Sequence, residues 1–321
     1  MKALITGVAG FIGSSICDAL VAAGHEVIGL DCFADYYPRD LKERNLSGLV
    51  GNPSFRFVEA DLVDVDLVDI LEGVECVFHQ AAQAGVRSSW GEYFRVYSDN
   101  NVYATQRLLE AAKDMVGLRK FVYASSSSVY GDTADLPMRE TSATNPVSPY
   151  GVTKLAGEHL VNLYNRNYGL PTVALRYFTV YGPRQRPDMA FNRFIRSTVA
   201  KKSISLYGDG RQSRDFTFID DIVAANLSAA ASEVSGEVLN IGGGSRTTVN
   251  EVLEQIGGII GRRPEVQRLG PQQGDVTHTA ADTSRARKLI GYEPRVGLAE
   301  DLRREVEWLT GLSEELTAEL D

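Results

Sequence analysis

The chain has 321 residues, 44% hydrophobic and 23% charged, with a formal net charge of −9. That composition supports a large core and excludes a disordered chain, and the acidic balance excludes a nucleic-acid binder, which would carry a basic face; an anionic ligand would have to be held by a few local arginines. Cys17, Cys32 and Cys76 have no CxxC or Cys/His spacing, which excludes a disulfide framework and a zinc site and leaves no metal expected.

Met1-Lys2 runs directly into a strand-like segment, with no long apolar stretch and no small-residue cleavage site, so the expectation is a cytoplasmic protein with no membrane partner. Short apolar runs follow in order: Ala3-Leu4-Ile5, Glu26 to Leu30, Arg56-Phe57-Val58, Cys76-Val77-Phe78, Phe121-Val122-Tyr123 and Val173-Ala174-Leu175. They read as buried parallel strands. Between the first two, Ile12, Ile16, Ala19, Leu20 and Ala23 share one helical face, giving a βαβ unit whose crossover is right-handed. Further helices are predicted near 92–115, 149–168, 189–201, 219–233, 248–260 and 298–310. The fold class is α/β, a doubly wound parallel sheet with a smaller C-terminal α/β domain. Beyond about residue 177 the chain is richer in Gly, Pro, Arg and Gln, so the main domain is placed at 1–177. Residues 213–241, again strand, helix and strand, are expected to return to it, and 178–212 with 242–321 form the smaller domain.

Thr6-Gly7-Val8-Ala9-Gly10-Phe11-Ile12-Gly13 joins the first strand to the first helix. Glycines spaced three and three let backbone approach a pyrophosphate, which the N–H groups at the helix start, Phe11 and Ile12 among them, then bind. Asp31 ends the second strand, where a carboxylate accepts hydrogen bonds from a ribose diol and repels a 2′-phosphate, so NAD is preferred over NADP. Asp61-Leu62 after the third strand is a candidate adenine contact; Asp61 alone reads equally well as a helix N-cap.

Ser148-Pro149 opens a helix on which Tyr150 and Lys154, four apart, share a face. A tyrosine of pKa about 10 becomes a base at neutral pH only if it is lowered by about three units, roughly 4 kcal/mol, and an adjacent ammonium acts in that direction. A hydroxyl to orient the substrate is expected from Ser125-Ser126-Ser127-Ser128, which follows the Phe121 strand.

With Thr-Gly-x-x-Gly-Phe-Ile-Gly, the serines and Tyr-x-x-x-Lys in this order, nearly the whole chain resembles the extended short-chain dehydrogenase/reductase family. The resemblance implies that Ser126 is the third catalytic member, with Ser127 the fallback. It also implies that Tyr150 takes a proton from a sugar hydroxyl while NAD takes hydride from the same carbon, and that Lys154 lowers the tyrosine pKa and holds the nicotinamide ribose. Asn101 matches the family's helix asparagine or is structural only. A homodimer built from the helices near 92–115 and 149–168 is implied as well.

Arg176-Tyr177-Phe178-Thr179-Val180-Tyr181-Gly182-Pro183, Gly208 to Phe216 and Gly274-Asp275-Val276 resemble the nucleotide-sugar branch of that family. By that resemblance Arg214 binds a UDP diphosphate, and Asn192, Arg193, Gln272 and Asp275 lie near the nucleotide. Thr179, Arg186-Pro187-Asp188-Met189-Ala190 and Ala81 to Arg87 are similar to UDP-glucuronate 4-epimerases. An added arginine and hydroxyls suit a C6 carboxylate, so Arg186, Thr179, Ser127 and Ser128 are expected on it and Arg87 near the substrate; Arg186 as a surface loop charge is the plain alternative. UDP-glucuronate is thus the favoured substrate. A decarboxylase forming a UDP-pentose, a UDP-glucose or UDP-N-acetylglucosamine 4-epimerase, and a non-catalytic nucleotide-sugar sensor remain open.

Overall fold

The computed structural model describes residues 1–270, 272–295 and 297–312. Its main sheet has seven strands: β1 Lys2–Thr6, β2 Glu26–Asp31, β3 Phe55–Glu59, β4 Cys76–His79, β5 Lys120–Ser126, β6 Thr172–Tyr177 and β7 Glu237–Ile241. They run in the order β7-β6-β5-β4-β1-β2-β3, every pair parallel. Consecutive residues such as Ala3, Leu4 and Ile5 are all fully buried, because helices cover both faces and neither parity of side chain meets water. This is the doubly wound parallel sheet. From β1 the chain winds outward to β2 and β3, then returns to β4 and winds the other way, so a crevice opens where the carboxyl ends of β1 and β4 part.

The helices include α1 Phe11–Ala22, α2 Ala104–Ala112, α3 Pro149–Tyr168, α4 Ala190–Val199, α5 Ile219–Ala231, α6 Val249–Ile260 and α7 Leu298–Thr310. Helix α3 has sharp ends: the Ser148 hydroxyl accepts the Gly151 N–H at 3.1 Å, Pro149 opens the first turn, and Gly169 closes the last at φ 70°. The single helix expected near 92–115 is instead a 3-10 turn Gly91–Tyr93, a short helix Phe94–Ser98, a π turn Asp99–Tyr103 and then α2. The Thr105 hydroxyl donates back to the Asn101 carbonyl at 2.8 Å, a contact that bends helices. Helices Arg39–Leu46 and Ser284–Ile290 were not predicted; both are short and mostly polar, with little apolar periodicity to read.

Within 213–241, Ser213–Asp215 pairs antiparallel with Arg246–Thr248 and Thr217–Phe218 pairs with Val180–Tyr181, both outside the main sheet. Helix α5 then packs on α1, and β7 joins the edge beside β6. One hydrophobic cluster runs from Ile5 and Phe78 through Tyr181, Phe218 and Ile256 to Leu309, so the C-terminal segments extend the same core.

Candidate active site

The crevice is lined by Gly7, Gly10, Phe11, Ile12, Gly13, Asp31, Asp61 and Leu62, and also by Tyr150, Lys154 and Arg186. Gly10 is the N-cap of α1 and offers no side-chain acceptor, and the first turn holds no acid, so its N–H groups are left for an anion. A Cβ on Gly13 would lie 2.2 Å from the Gly7 carbonyl oxygen; glycine there is what lets α1 seat against the loop. Asp31 is fixed by two backbone donors, Ala9 N–H to Oδ2 at 3.0 Å and Phe33 N–H to Oδ1 at 2.9 Å. Burial pushes its carboxyl above the usual range, opposed by those bonds, and its remaining lone pairs suit a diol. Asp61 Oδ1 accepts the Val63 N–H at 2.9 Å, an Asx turn and not a helix cap. An uncapped helix start, a fixed carboxylate and a buried lysine in one crevice fit a dinucleotide.

Ser126 is brought to Tyr150 by a close approach: the Ser128 carbonyl lies 2.6 Å from where a Cβ on Gly151 would stand, so α3 can abut the serine turn only through glycine. Ser126 Oγ also accepts the Ser128 N–H at 3.1 Å. Burial pushes the Tyr150 phenol up, while a hydrogen bond with Ser126 and the Arg186 charge pull it back. Lys154 stands one turn along α3 from Tyr150, and both line the crevice. It is buried beside the Tyr123 ring, 4.7 Å from its centroid, and burial draws its ammonium down to about 7 against the opposing charge of Glu158. Asn101 ties this helix to the loop after β4. Its side chain accepts the Gln83 N–H at 2.7 Å and donates to the Gln83 carbonyl and the Thr153 hydroxyl.

Arg186 is no free surface charge. Its Nε and Nη2 donate to Asp188 at 3.0 and 3.1 Å, and Tyr36 donates to the same carboxylate at 3.2 Å. Burial alone would raise Asp188, but the Arg186 charge and its hydrogen bonds hold the carboxyl below its ordinary value. A second group lies further out. Arg87 pairs with Asp275 at 2.7 Å and covers the Tyr207 ring, while Arg214 donates to the Val276 and Thr277 carbonyls. Burial lowers the Arg214 pKa, opposed by Asp275 and Asp132 and reinforced by Arg87, so two guanidiniums share one small region suited to an anion. Gln272 is exposed at the start of that loop.

Ser127, Ser128 and Thr179 are half-buried. Asn192 is buried, and its side chain donates to the Gln185 carbonyl and accepts from Arg196 Nε, which ties the start of α4 to the turn before it. Arg193, one residue along α4, is half-buried. Sequence reasoning missed Tyr36, Tyr37, Lys42, Gln80 and Tyr177, which all line the crevice. Their signal was positional: each follows or ends a strand at the carboxyl edge of the sheet, except Lys42, which comes from the unpredicted helix.

The model of the NAD dependent epimerase/dehydratase family matches residues 3–242. The UDP-glucuronate 4-epimerase of Thermodesulfobacterium geofontis (strain OPF15) is 39% identical over 309 residues, 95% of either chain. A Bacillus subtilis (strain 168) protein named "Uncharacterized UDP-glucose epimerase YtcB" is 44% identical over 314 residues, 97% of this chain and 99% of its own. The crystal structure of UDP-glucuronic acid 4-epimerase from Bacillus cereus, in complex with UDP-glucuronic acid and NAD, superposes with a TM-score of 0.94 at 42% identity, covering 97% of this chain and 99% of that one.

Proposed function

We propose that this chain, which belongs to the NAD dependent epimerase/dehydratase family, interconverts UDP-glucuronate and UDP-galacturonate. The observation that carries the substrate reading is Arg186, a guanidinium lining the same crevice as Tyr150. NAD is held by the α1 N-terminus, Asp31 and Lys154, with Asp61 and Leu62 at the adenine, and supplies a hydride acceptor that becomes the donor for the return.

Tyr150 takes the proton of the C4 hydroxyl as that carbon is oxidised, and Ser126, bonded to the same phenol, orients the oxygen. The keto sugar turns over in the site and is reduced on its other face, Tyr150 returning the proton. Oxidation at C4 puts a ketone β to the carboxylate, and such acids lose carbon dioxide when the C5–C6 bond lies parallel to the carbonyl π orbitals. Arg186, Thr179, Ser127 and Ser128 keep the carboxylate charged and that bond near the carbonyl plane. Arg87, Arg214 and Asp275 form the diphosphate and nucleotide end.

Residues 1–177 with 213–241 carry the cofactor and 178–212 with 242–321 the nucleotide sugar, the first part also reaching the sugar through Ser127, Ser128 and Tyr150 and the diphosphate through Arg87 and Arg214. A homodimer is supported by exposed Val96, Tyr103, Val152 and Leu163 on the helices around α2 and α3. Among the described residues no helix is long and apolar enough to cross a membrane, and with three free cysteines the reading is a cytoplasmic enzyme.

Incubation of purified protein with UDP-glucuronate, followed by NMR, tests this. UDP-galacturonate is expected; a UDP-pentose alone would make the protein a decarboxylase. A UDP-glucose 4-epimerase is the second reading, favoured by the bidentate hold of Asp188 on Arg186, which leaves the pair neutral overall. Turnover of UDP-glucose with none of UDP-glucuronate would establish it.

A further inference from the structure

We propose that Asp188 sets which edge of the Arg186 guanidinium meets the sugar carboxylate, and thereby how much of the keto intermediate is lost as carbon dioxide. This rests on the UDP-uronate reading above. The device is local in sequence. Arg186-Pro187-Asp188-Met189 is a turn closed by the Met189 N–H on the Arg186 carbonyl at 3.1 Å, with proline in the second position that turns favour. The turn folds the two side chains together, and Asp188 takes the side-on edge of the guanidinium, Nε and Nη2. A guanidinium has one other edge able to grip a carboxylate with two parallel bonds, the end-on pair Nη1 and Nη2.

Asp188 is itself held from across the crevice. Tyr36, from the loop after β2, donates to its Oδ2. That hydroxyl is pressed against Gly85, where a Cβ would lie 2.4 Å from it and 2.6 Å from Ser88 Oγ. Ser88 in turn bonds the Tyr97 hydroxyl at 2.6 Å, and the Tyr97 ring stands edge-on to Tyr150 with centroids 6.3 Å apart. Asp188 therefore ties the Arg186 orientation to the wall around Tyr150. With the end-on edge alone available, the uronate carboxylate docks in one orientation and its C5–C6 bond is held. When Asp188 lets go, either edge can bind and the carboxylate can turn. Heterolysis of C5–C6 then releases carbon dioxide, the bonding pair passes to the C4–C5 enolate, C5 takes a proton from water, and reduction of the ketone leaves a UDP-pentose.

The test is the ratio of UDP-pentose to UDP-galacturonate formed from UDP-glucuronate carrying ¹³C at C6, read by NMR with the released labelled bicarbonate. Asp188→Asn is expected to raise the pentose fraction about tenfold, the worth of one charge-assisted hydrogen bond. A merely structural defect lowers total turnover and leaves the ratio alone. Should Asp188→Asn give no soluble protein, Tyr36→Phe, which leaves the ion pair in place, carries the test with about a threefold rise expected. An unchanged ratio overturns the role of Asp188 while the epimerase reading stands; a parent enzyme that makes no UDP-galacturonate overturns both.

Discussion

Replacing Glu158 by glutamine keeps the shape of the side chain and removes a charge on which both the core and Lys154 depend. Glu158 and Arg176 are 3% and 5% exposed; Oε2 accepts Arg176 Nε at 2.9 Å, Oε1 accepts Nη2 at 2.5 Å, and Ser125 Oγ donates to Oε2 at 2.8 Å. Arg176 continues to the Tyr130 hydroxyl, which donates to Asn240, so the pair pins β5, β6, β7 and α3 together. Removing one partner of such a buried pair strands the other charge, at a cost of about 3–5 kcal/mol. In a chain of this size about 2 °C of Tm accompanies each kcal/mol, so the melting point should fall by roughly 6–10 °C. Lys154, drawn by burial to about 7, loses the charge that opposes burial and moves lower still. In the role proposed for it, the protonated form holds the cofactor ribose, so the fall of kcat on the alkaline side should shift to lower pH. Thermal melts and a kcat profile between pH 6 and 9 measure the two effects. A double variant, Glu158→Gln with Arg176→Met, should recover much of the stability and keep the acid shift. A single variant that melts within about 2 °C of the parent with an unmoved profile would refute the reasoning.

Asp301 is fully buried, its Oδ1 has no hydrogen-bond partner among the described residues, and burial pushes its carboxyl up to about 6. A folded-state pKa above the unfolded one means a contribution present below about 3.8 and lost as pH rises through 6. Asp301→Asn should therefore be more stable than the parent at pH 8, by at most about 3 kcal/mol, with the gain shrinking by pH 5; urea melts at both pH values check it, and a larger gain at pH 5 would contradict it. Gly13→Ala sets a methyl 2.2 Å from the Gly7 carbonyl, so α1 must shift; loss of NAD affinity by calorimetry together with a lower Tm is expected, and retention of both argues against the packing role. Leu163→Arg, at a half-exposed apolar position on α3, should turn a dimer into a monomer in sedimentation without altering the melting of the isolated chain; an unchanged sedimentation coefficient would remove this face from the dimer proposal.

What could be read along the chain was whatever neighbouring residues decide among themselves. Strands β1, β2, β4, β5 and β6 announce themselves as apolar runs because helices cover both sides of a parallel sheet, the edge strand β3 is only half-buried despite its apolar run, and α3 announces its own ends through Ser148, Pro149 and Gly169. The glycine loop and Asp31 were visible because a strand, a turn and a helix in series already make the anion site. Contacts between distant segments left no such mark. Tyr36 reaches Asp188 across 152 positions, Arg176 meets Glu158 only because β6 lies under α3, and Asn101, within the π turn Asp99–Tyr103, bonds Gln83 and Thr153, 18 and 52 positions away.

Tyr150 and Lys154 show why a motif and a mechanism are different kinds of statement. Four residues apart on one helix they share a face, and an ammonium so placed favours the phenolate. Here the face is buried, and burial works against both charges, raising the phenol and lowering the ammonium. Arg186, 36 positions further along and held by Asp188, brings a positive charge that pulls the phenol down against burial. On the proposed reading the same arginine meets the uronate carboxylate and favours the phenolate. Substrate choice and base strength are coupled through one side chain, and a substitution at Arg186 should change both together.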